Sequence, residues 1–414
     1  MVSALCRVFG PHNLELAEDV VQEALLRALR EWPFRGVPDD PRAWLTRVAR
    51  NRALDLLRRD ASLARKAPLL RVEEGSGPLP EVFFDGEVED DTLRMVFTCC
   101  HPAVPREARV ALTLKTVGGF GVPEIARAYL AKPATIAQRL VRAKRRIREA
   151  GVRFEVPAGE QLPARLDSVL EVLYLVFNEG YAAASGEAAL RADVCAEAIR
   201  LAEKVAAHPA TALPRAHALA ALLLLQGARL PARTDDGGDP VLLPGQDRSR
   251  WDPGMLARGF AHLERAARGG HLSPYHLEAG IAAAHAAAPS FEATDWPYIL
   301  TLYDALLAVK PSPVASLNRA VALAMGEGPG PALEAVDGLA DHPALAEYPL
   351  LHAVRGDLLA RLGETGRAAA CFRRALELPL SEPDRRLMER RARECEAEGR
   401  AETRLPAAGQ VFGT

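Results

Sequence analysis

Trp44, Arg47, Asn51 and Arg58 fall on one side of a helix-forming segment that opens with Asp40 and Pro41. Arginines neutralise phosphates, an amide reads a base edge and an indole stacks on an unpaired base, so this face carries residue types that hold nucleic acid. An ordinary basic helix surface with its tryptophan packed in the core would use the same residues. A second set follows the sequence GFGVPEIARAYLAKPATIAQRLVRAKRRIREAG. Here Lys132, Arg139, Arg142, Lys144, Arg145, Arg146 and Arg148 supply positive charge with no acid until Glu149, as phosphate neutralisation requires. Ala134, Thr135, Gln138, Arg139 and Arg142 begin at the first turn of the longer segment and share its exposed face, where a recognition helix reaches base edges.

Other clusters are weaker as chemistry. Cys99 and Cys100 are adjacent, and adjacent residues on a helix point about 100° apart, so they do not serve one tetrahedral ion and no second ligand pair has zinc-site spacing. They read as structural, with redox sensing as the functional alternative. FNEGY places Asn178, Glu179 and Tyr181 in an apolar helical region, and DRSRWD places Asp247, Arg248, Arg250, Trp251 and Asp252 in another. Arg248 or Arg250 paired with Glu179 or Asp252 would form a buried polar network that fixes how helices stack. The functional alternative is a contact surface or a small-ligand site. No serine–histidine–acid set, phosphate loop or paired-carboxylate helix is present, so no catalytic residue, metal or cofactor is expected.

The elements that position these residues read as helices throughout, with no run of strand alternation; the fold class is all-α. From Leu14 to Arg30, the residues Ala17, Val20, Val21, Ala24, Leu25, Ala28 and Leu29 share a face expected to be buried, with Asp19, Gln22, Glu23, Leu26 and Arg30 opposite. A loop over EWPFRGVPDD, residues Glu31 to Asp40, separates that helix from the next, in which Leu45, Val48, Ala49, Ala53 and Leu56 form the buried face to about Arg59. Residues 61–92, with Gly-Ser-Gly-Pro-Leu-Pro and the acids Glu87, Glu89, Asp90 and Asp91, read as a linker. Pro123 to Tyr129 and Pro133 to about Glu149 have the form of a helix-turn-helix, with Ala126 and Ile136 at the crossing and Leu130 where many such turns have glycine.

From Pro157 the composition turns rich in alanine and leucine. Offset by 36 residues, Ala320, Leu323, Ala332, Val336, Leu339 and Pro343 correspond to Gly356, Leu359, Ala368, Phe372, Ala375 and Pro379. Small residues where paired helices touch and a closing proline describe a tetratricopeptide-like hairpin. Composition bounds the rest. The 414 residues are 49% hydrophobic and 26% charged with a net charge of −2, so any nucleic-acid binding must be local. No stretch approaches the ~20 apolar residues of a membrane span, no signal segment opens the chain, and the six scattered cysteines fit a reducing compartment. A cytoplasmic, soluble protein is expected.

These parts, in this order, resemble one family. LELAEDVVQEALLRALREWPFRGVPDDPRAWLTRVARNRALDLLRRD is similar to region 2 of bacterial extracytoplasmic-function (ECF) sigma factors of the sigma-70 family, and residues 93–156 are similar to their region 4. LDSVLEVLYLVFNEGYAAASGE, LLPGQDRSRWD and LNRAVALAMGEG resemble the subgroup with a long C-terminal tetratricopeptide-type extension. The resemblance implies region 2 at 1–60, a linker at 61–92, region 4 at 93–156 and a helical-repeat extension at 157–414. It implies that the loop holds a base flipped from the minus-10 element, with Trp32, Phe34, Arg35, Trp44, Arg47, Asn51 and Arg58 supplying the residue types. Asp19, Gln22 and Glu23 would face the clamp helices of core RNA polymerase, and the flap would engage region 4. Ala134, Thr135, Gln138, Arg139, Arg142 and Arg145 would meet the minus-35 element.

In the family a further helical segment precedes ALCRVFG, which Met1 nearly abuts, and a short start of this kind is expected to impair promoter opening. The extension is expected to regulate or stabilise the sigma domains, with a protein or small ligand as its own partner. Two rivals use the same residues differently: a one-component helix-turn-helix regulator with a repeat sensor, and a tetratricopeptide scaffold whose basic helix is incidental.

Overall fold

The computed structural model describes residues 1–63, 85–128, 131–157, 159–181 and 190–404, the side chains of 59–63, 85–90, 127–128 and 400–404 excepted. Among the described residues the protein is all-α, with no strand beyond one isolated bridge between Thr234 and Pro240. The helices are α1 (Val2–Phe9), α2 (Leu14–Arg35), α3 (Pro41–Leu63), α4 (Asp85–Cys99), α5 (Arg106–Thr116), α6 (Val122–Ala128), α7 (Pro133–Glu149), α8 (Gln161–Tyr181) and α9 (Ala192–Ala207). They continue with α10 (Pro214–Gly227), α11 (Pro253–Ala266), α12 (Pro274–Ala287), α13 (Trp296–Val309), α14 (Pro313–Gly326), α15 (Pro329–Asp337), α16 (Pro349–Arg361), α17 (Thr365–Leu376) and α18 (Glu382–Arg404).

Two compact units result: residues 1–126 with 131–173, and residues 127–130 with 174–414, so that α8 begins in one and ends in the other. The helix starts follow local chemistry. Proline, which has no N–H to leave unbonded, opens α3, α7, α10 and several later helices. The carboxylates of Asp40, Asp252 and Asp295 accept the first free backbone N–H groups of α3, α11 and α13.

In the first unit α2 packs along α3, α1 along α2 and α4, and α5 against α7. The buried stripe of α2 is Leu14, Ala17, Val20, Ala24 and Ala28. Leu25 and Leu29, expected on that face, are 45% and 73% exposed, and Leu26 is exposed beside them. The neighbours of α2 cover only a narrow, mostly alanine seam, so the leucines one step round the helix stay in solvent. A second difference lies at Glu31–Asp40. Helix α2 continues through Arg35 with Pro33 inside its last turn, where one lost hydrogen bond is tolerated, and Gly36 ends it at φ +80°. The loop is therefore only residues 36–40. The expected linker falls largely outside the described residues, though α4 already begins at Asp85. Leu130 also lies outside them.

In the second unit α10 is apolar all round and nearly wholly buried, with α9, α11 and α12 packed on it. From α12 to α18 each helix packs on the next. Of the positions related by 36 residues, those in the helix pairs are alike in burial, whereas Leu339 lies beyond the end of α15 and Ala375 within α17. Ala320, Ala332 and Val336 are buried in α14 and α15, as Gly356, Ala368 and Phe372 are in α16 and α17. A Cβ on Gly356 would stand 3.0 Å from the Phe372 ring, so glycine sets how closely α16 and α17 approach.

Candidate nucleic-acid interface

Helices α2 and α3 bound a cavity of about 410 Å³ lined by Glu23, Ala24 and Arg27 from α2 and by Trp44, Arg47, Val48, Asn51, Arg52 and Asp55 from α3. The structure thus brings three of the sequence-selected residues, Trp44, Arg47 and Asn51, to one opening. Arg47 and Asn51 are exposed, whereas Trp44 is half-buried and leans edge-on against Trp32 with ring centroids 5.5 Å apart. The guanidinium of Arg27 stands 5.8 Å from the centre of the Trp44 ring. Among the described residues the Trp32 indole N–H, beside Trp44, is buried without a hydrogen-bond partner.

Phe34 lies beyond the cavity at the C-terminal turn of α2 and is 89% exposed, an unusual position for a large ring. Arg35 beside it is exposed and pairs loosely with Glu31 at 3.9 Å. Arg58 is exposed further along α3 and does not line the cavity. Sequence reasoning missed Arg27 and Arg52. Arg52 Nε donates to Glu23 at 2.6 Å, so Glu23, grouped by sequence with Asp19 and Gln22, is drawn to the cavity lip. The signal was the placement of Glu23 and Arg27 four residues apart on α2, which only the α2–α3 packing turns toward Trp44. Asp19 and Gln22 are exposed and continue into the exposed Leu25, Leu26 and Leu29.

Helix α7 separates its roles cleanly. Ile136, Leu140, Ala143 and Ile147 are buried at spacings of three and four, while Ala134, Thr135, Gln138, Arg142 and Arg145 are exposed and Arg139 is half-exposed. Helix α6 precedes it with Ile125 and Ala126 buried, and Ala131 N–H donates to the Ala126 carbonyl at 2.9 Å across the turn. Not all of the basic side is free. Lys144 donates to Glu18, both half-buried, and Arg148 Nη2 meets Glu15 at 2.9 Å, tying α7 to α2 within the first unit. Glu18 also accepts from the Thr116 hydroxyl.

Cys99 and Cys100 are buried at the end of α4. Burial pushes the Cys100 thiol up to about 12, its sulfur lies 3.9 Å from the Thr113 hydroxyl, and Cys99 is raised by the same cause. Thiols so protected are poor nucleophiles.

The motifs of the second unit serve different ends from the expected network. Arg248 pairs with no acid among the described residues; its guanidinium donates to the carbonyls of His285 at 2.7 Å and Ala288 at 2.8 Å, closing the C-terminus of α12, and lies over the buried Trp251 ring at 4.5 Å. Arg250 is exposed, Asp247 caps its own turn through Ser249, and Asp252 caps α11. Carbonyl ends of a helix are strong acceptors, and they outcompete distant carboxylates for Arg248. Glu179 is half-buried with no ion pair among the described residues, and burial lifts its carboxyl to about 7. Gly180 permits close packing, since a Cβ there would lie 2.8 Å from the Arg191 carbonyl. Asn178 and Tyr181 line a cavity of about 400 Å³ in this unit.

Residues 1–62 match sigma-70 region 2, the segment that contains α2, α3 and the cavity between them. Residues 165–267 match a family of unknown function, DUF6596. An uncharacterized protein of Rhizobium meliloti (strain 1021) is 42% identical over 380 residues, covering 91% of this chain and 89% of its own length. The chain belongs to the family of that protein. No solved structure matches it. The region 2 match supports membership of the sigma-70 family and a sigma-factor role in transcription initiation, with core RNA polymerase and promoter DNA as the partners such a region implies. None of the described helices is long and apolar enough to cross a membrane.

Proposed function

We propose that this protein is a promoter-specificity subunit of bacterial RNA polymerase, an ECF-type sigma factor with a C-terminal tetratricopeptide-like extension. The observation that carries the reading is the convergence of Trp44, Arg47 and Asn51 on one α2–α3 cavity inside the segment that matches sigma-70 region 2. Extruding a base from a duplex costs a few kcal/mol, and a protein that opens DNA must offset that cost with stacking surface and cationic contacts. Trp44, Phe34 and the orphan donor of Trp32 offer the surface and the hydrogen bond, and Arg27, Arg35, Arg47 and Arg58 offer charge along the strand's path. The exposed stripe of Asp19, Gln22, Leu25, Leu26 and Leu29 is the docking face for the polymerase clamp, an apolar patch with a polar rim. Thr135, Gln138, Arg139 and Arg142 on α7 read the minus-35 element, and the helical-repeat unit regulates or stabilises the DNA-binding unit.

The test is run-off transcription with bacterial core polymerase and a random promoter library. Start sites sharing paired upstream elements are the expected result. Stable core binding with no starts would leave the polymerase contact and remove the promoter role, and no core binding would overturn the reading.

A further inference from the structure

The second unit holds a cavity of about 400 Å³ whose walls come from α8, α10, α12, α13 and α14. Its floor is apolar, with Phe177, Leu222, Ile281 and Leu306. Two tyrosines, Tyr174 and Tyr303, line it with hydroxyls deep enough that burial pushes Tyr303 up to about 12 and Tyr174 higher still. Among them lies the carboxyl of Glu278, half-buried, with the Tyr174 hydroxyl as its hydrogen-bonding neighbour and no ion pair among the described residues. The nearest opposite charge is Lys310, an exposed residue at the mouth. Its ammonium stands 5.8 Å from the centre of the Tyr174 ring, at the far limit of a cation–π contact.

We infer that this cavity binds a small organic cation, an amine whose ammonium reaches Glu278 between the faces of Tyr174 and Tyr303 while its carbon skeleton lies on the apolar floor. Three features converge on that class. A carboxylate partly withdrawn from water and held by one hydroxyl but by no close cation is unfavourable, and a ligand cation is the group that removes the deficit. Aromatic faces attract ammonium groups through the ring quadrupole, and the cavity already draws one from its own chain, the Lys310 side chain at its mouth. The order of charge, negative inside and positive outside, orients an amine inward and repels a second positive charge at the entrance. Asn318, an exposed lining residue, can bond to hydroxyl or amide groups of the ligand, while the Asn178 side chain is engaged with the Tyr174 hydroxyl. The Tyr181 ring, by contrast, already stacks with the Arg233 guanidinium at 3.8 Å, and its hydroxyl bonds Gln226 at 2.7 Å, so it closes the wall and is not part of the cage. The inference stands independently of the role in transcription, because it uses only residues of the second unit.

The experiment is calorimetric titration of the full chain with tyramine, with 4-ethylphenol as its neutral counterpart, with 4-hydroxyphenylpropionate as its anionic counterpart, and with choline and agmatine. At least one amine should bind, and tyramine should bind more tightly than both of its counterparts. Glu278→Gln should weaken the amine about tenfold or more, the scale of one lost desolvated charge contact. Lys310→Met, at the exposed mouth where folding is not at stake, should strengthen it by removing a competing cation. Binding of the anion in preference to the amines, equal binding of the neutral phenol, weakened amine binding in Lys310→Met, or no amine binding at millimolar concentration would each overturn the inference.

Discussion

Trp44 joins local packing to the proposed chemistry most directly. Its ring is held by Trp32 and flanked by Arg27, leaving one face on the cavity. Replacing it with alanine removes a stacking surface worth about 1–3 kcal/mol per base. Trp44→Ala should therefore lower run-off transcription roughly tenfold or more while leaving core binding intact, and a template already mismatched at minus-10 should restore much of the loss. Glu179 supports a prediction of another kind. Its folded pKa of about 7 lies above the ordinary 4.5, so the stability linked to its protonation is present below 4.5 and is lost as pH rises through about 7. Glu179→Gln removes that dependence; in urea melts the variant should gain on the wild type between pH 5 and pH 8, by about 1–2 kcal/mol once solvent screening is allowed for.

Helices in this protein are positioned by small residues and by ion pairs at their crossings. Glu18 on α2 and Lys144 on α7 are each 13% exposed, and their removal one at a time leaves an opposite charge half-buried. A double-mutant cycle over Glu18→Gln and Lys144→Met should return a coupling energy of about 1–2 kcal/mol in chemical denaturation, and none would mean that the pair is solvent-screened. Gly180 gives a sharper test. Alanine is the better helix former by about 1 kcal/mol, yet its Cβ would press on the Arg191 carbonyl and on Cys195 at 2.8 Å. Gly180→Ala should nevertheless destabilise the second unit by about 1–3 kcal/mol, because backbone on both sides has to shift. The element boundaries were largely legible, since Asp40-Pro41 and the apolar spacing of α7 are local signals. The exposure of Leu25 and Leu29 was not, because helical periodicity gives a face without saying how wide a strip its neighbours cover.

At the scale of the molecule, the histidines lowered furthest lie in the second unit. Burial beside arginines lowers His262 and His285 to about 4 from the usual 6.5, and His217, whose Nδ1 lies 2.9 Å from that of His262, is lowered too. Histidines of depressed pKa contribute stability that is whole above 6.5 and is lost as pH falls toward 4, because the unfolded chain takes up the protons first. Thermal melts of the full chain should show a transition that drops steadily between pH 6.5 and pH 4, and replacement of His262 and His285 by glutamine should flatten that slope. The candidate site divides along the same lines of legibility. Trp44, Arg47 and Asn51 share a helix face and could be grouped from spacing alone, whereas Arg27 joins them only through the packing of α2 on α3.

The sequence by itself determined what is local: the all-α class, the starts of α3 and α7, the exposed basic side of α7, and the small buried residues of the helix pairs α14–α15 and α16–α17. These depend on periodicity, caps and proline, which act over a few turns of chain. Only the tertiary structure decided which leucines of α2 stay in solvent, that Arg248 closes α12 without meeting an acid, and that Tyr174, Glu278 and Tyr303 share one cavity. Such groupings join residues up to 129 positions apart, from Tyr174 to Tyr303. Their partners are chosen by the competition among donors, acceptors and apolar surface when helices pack, and periodicity along the chain does not record that competition.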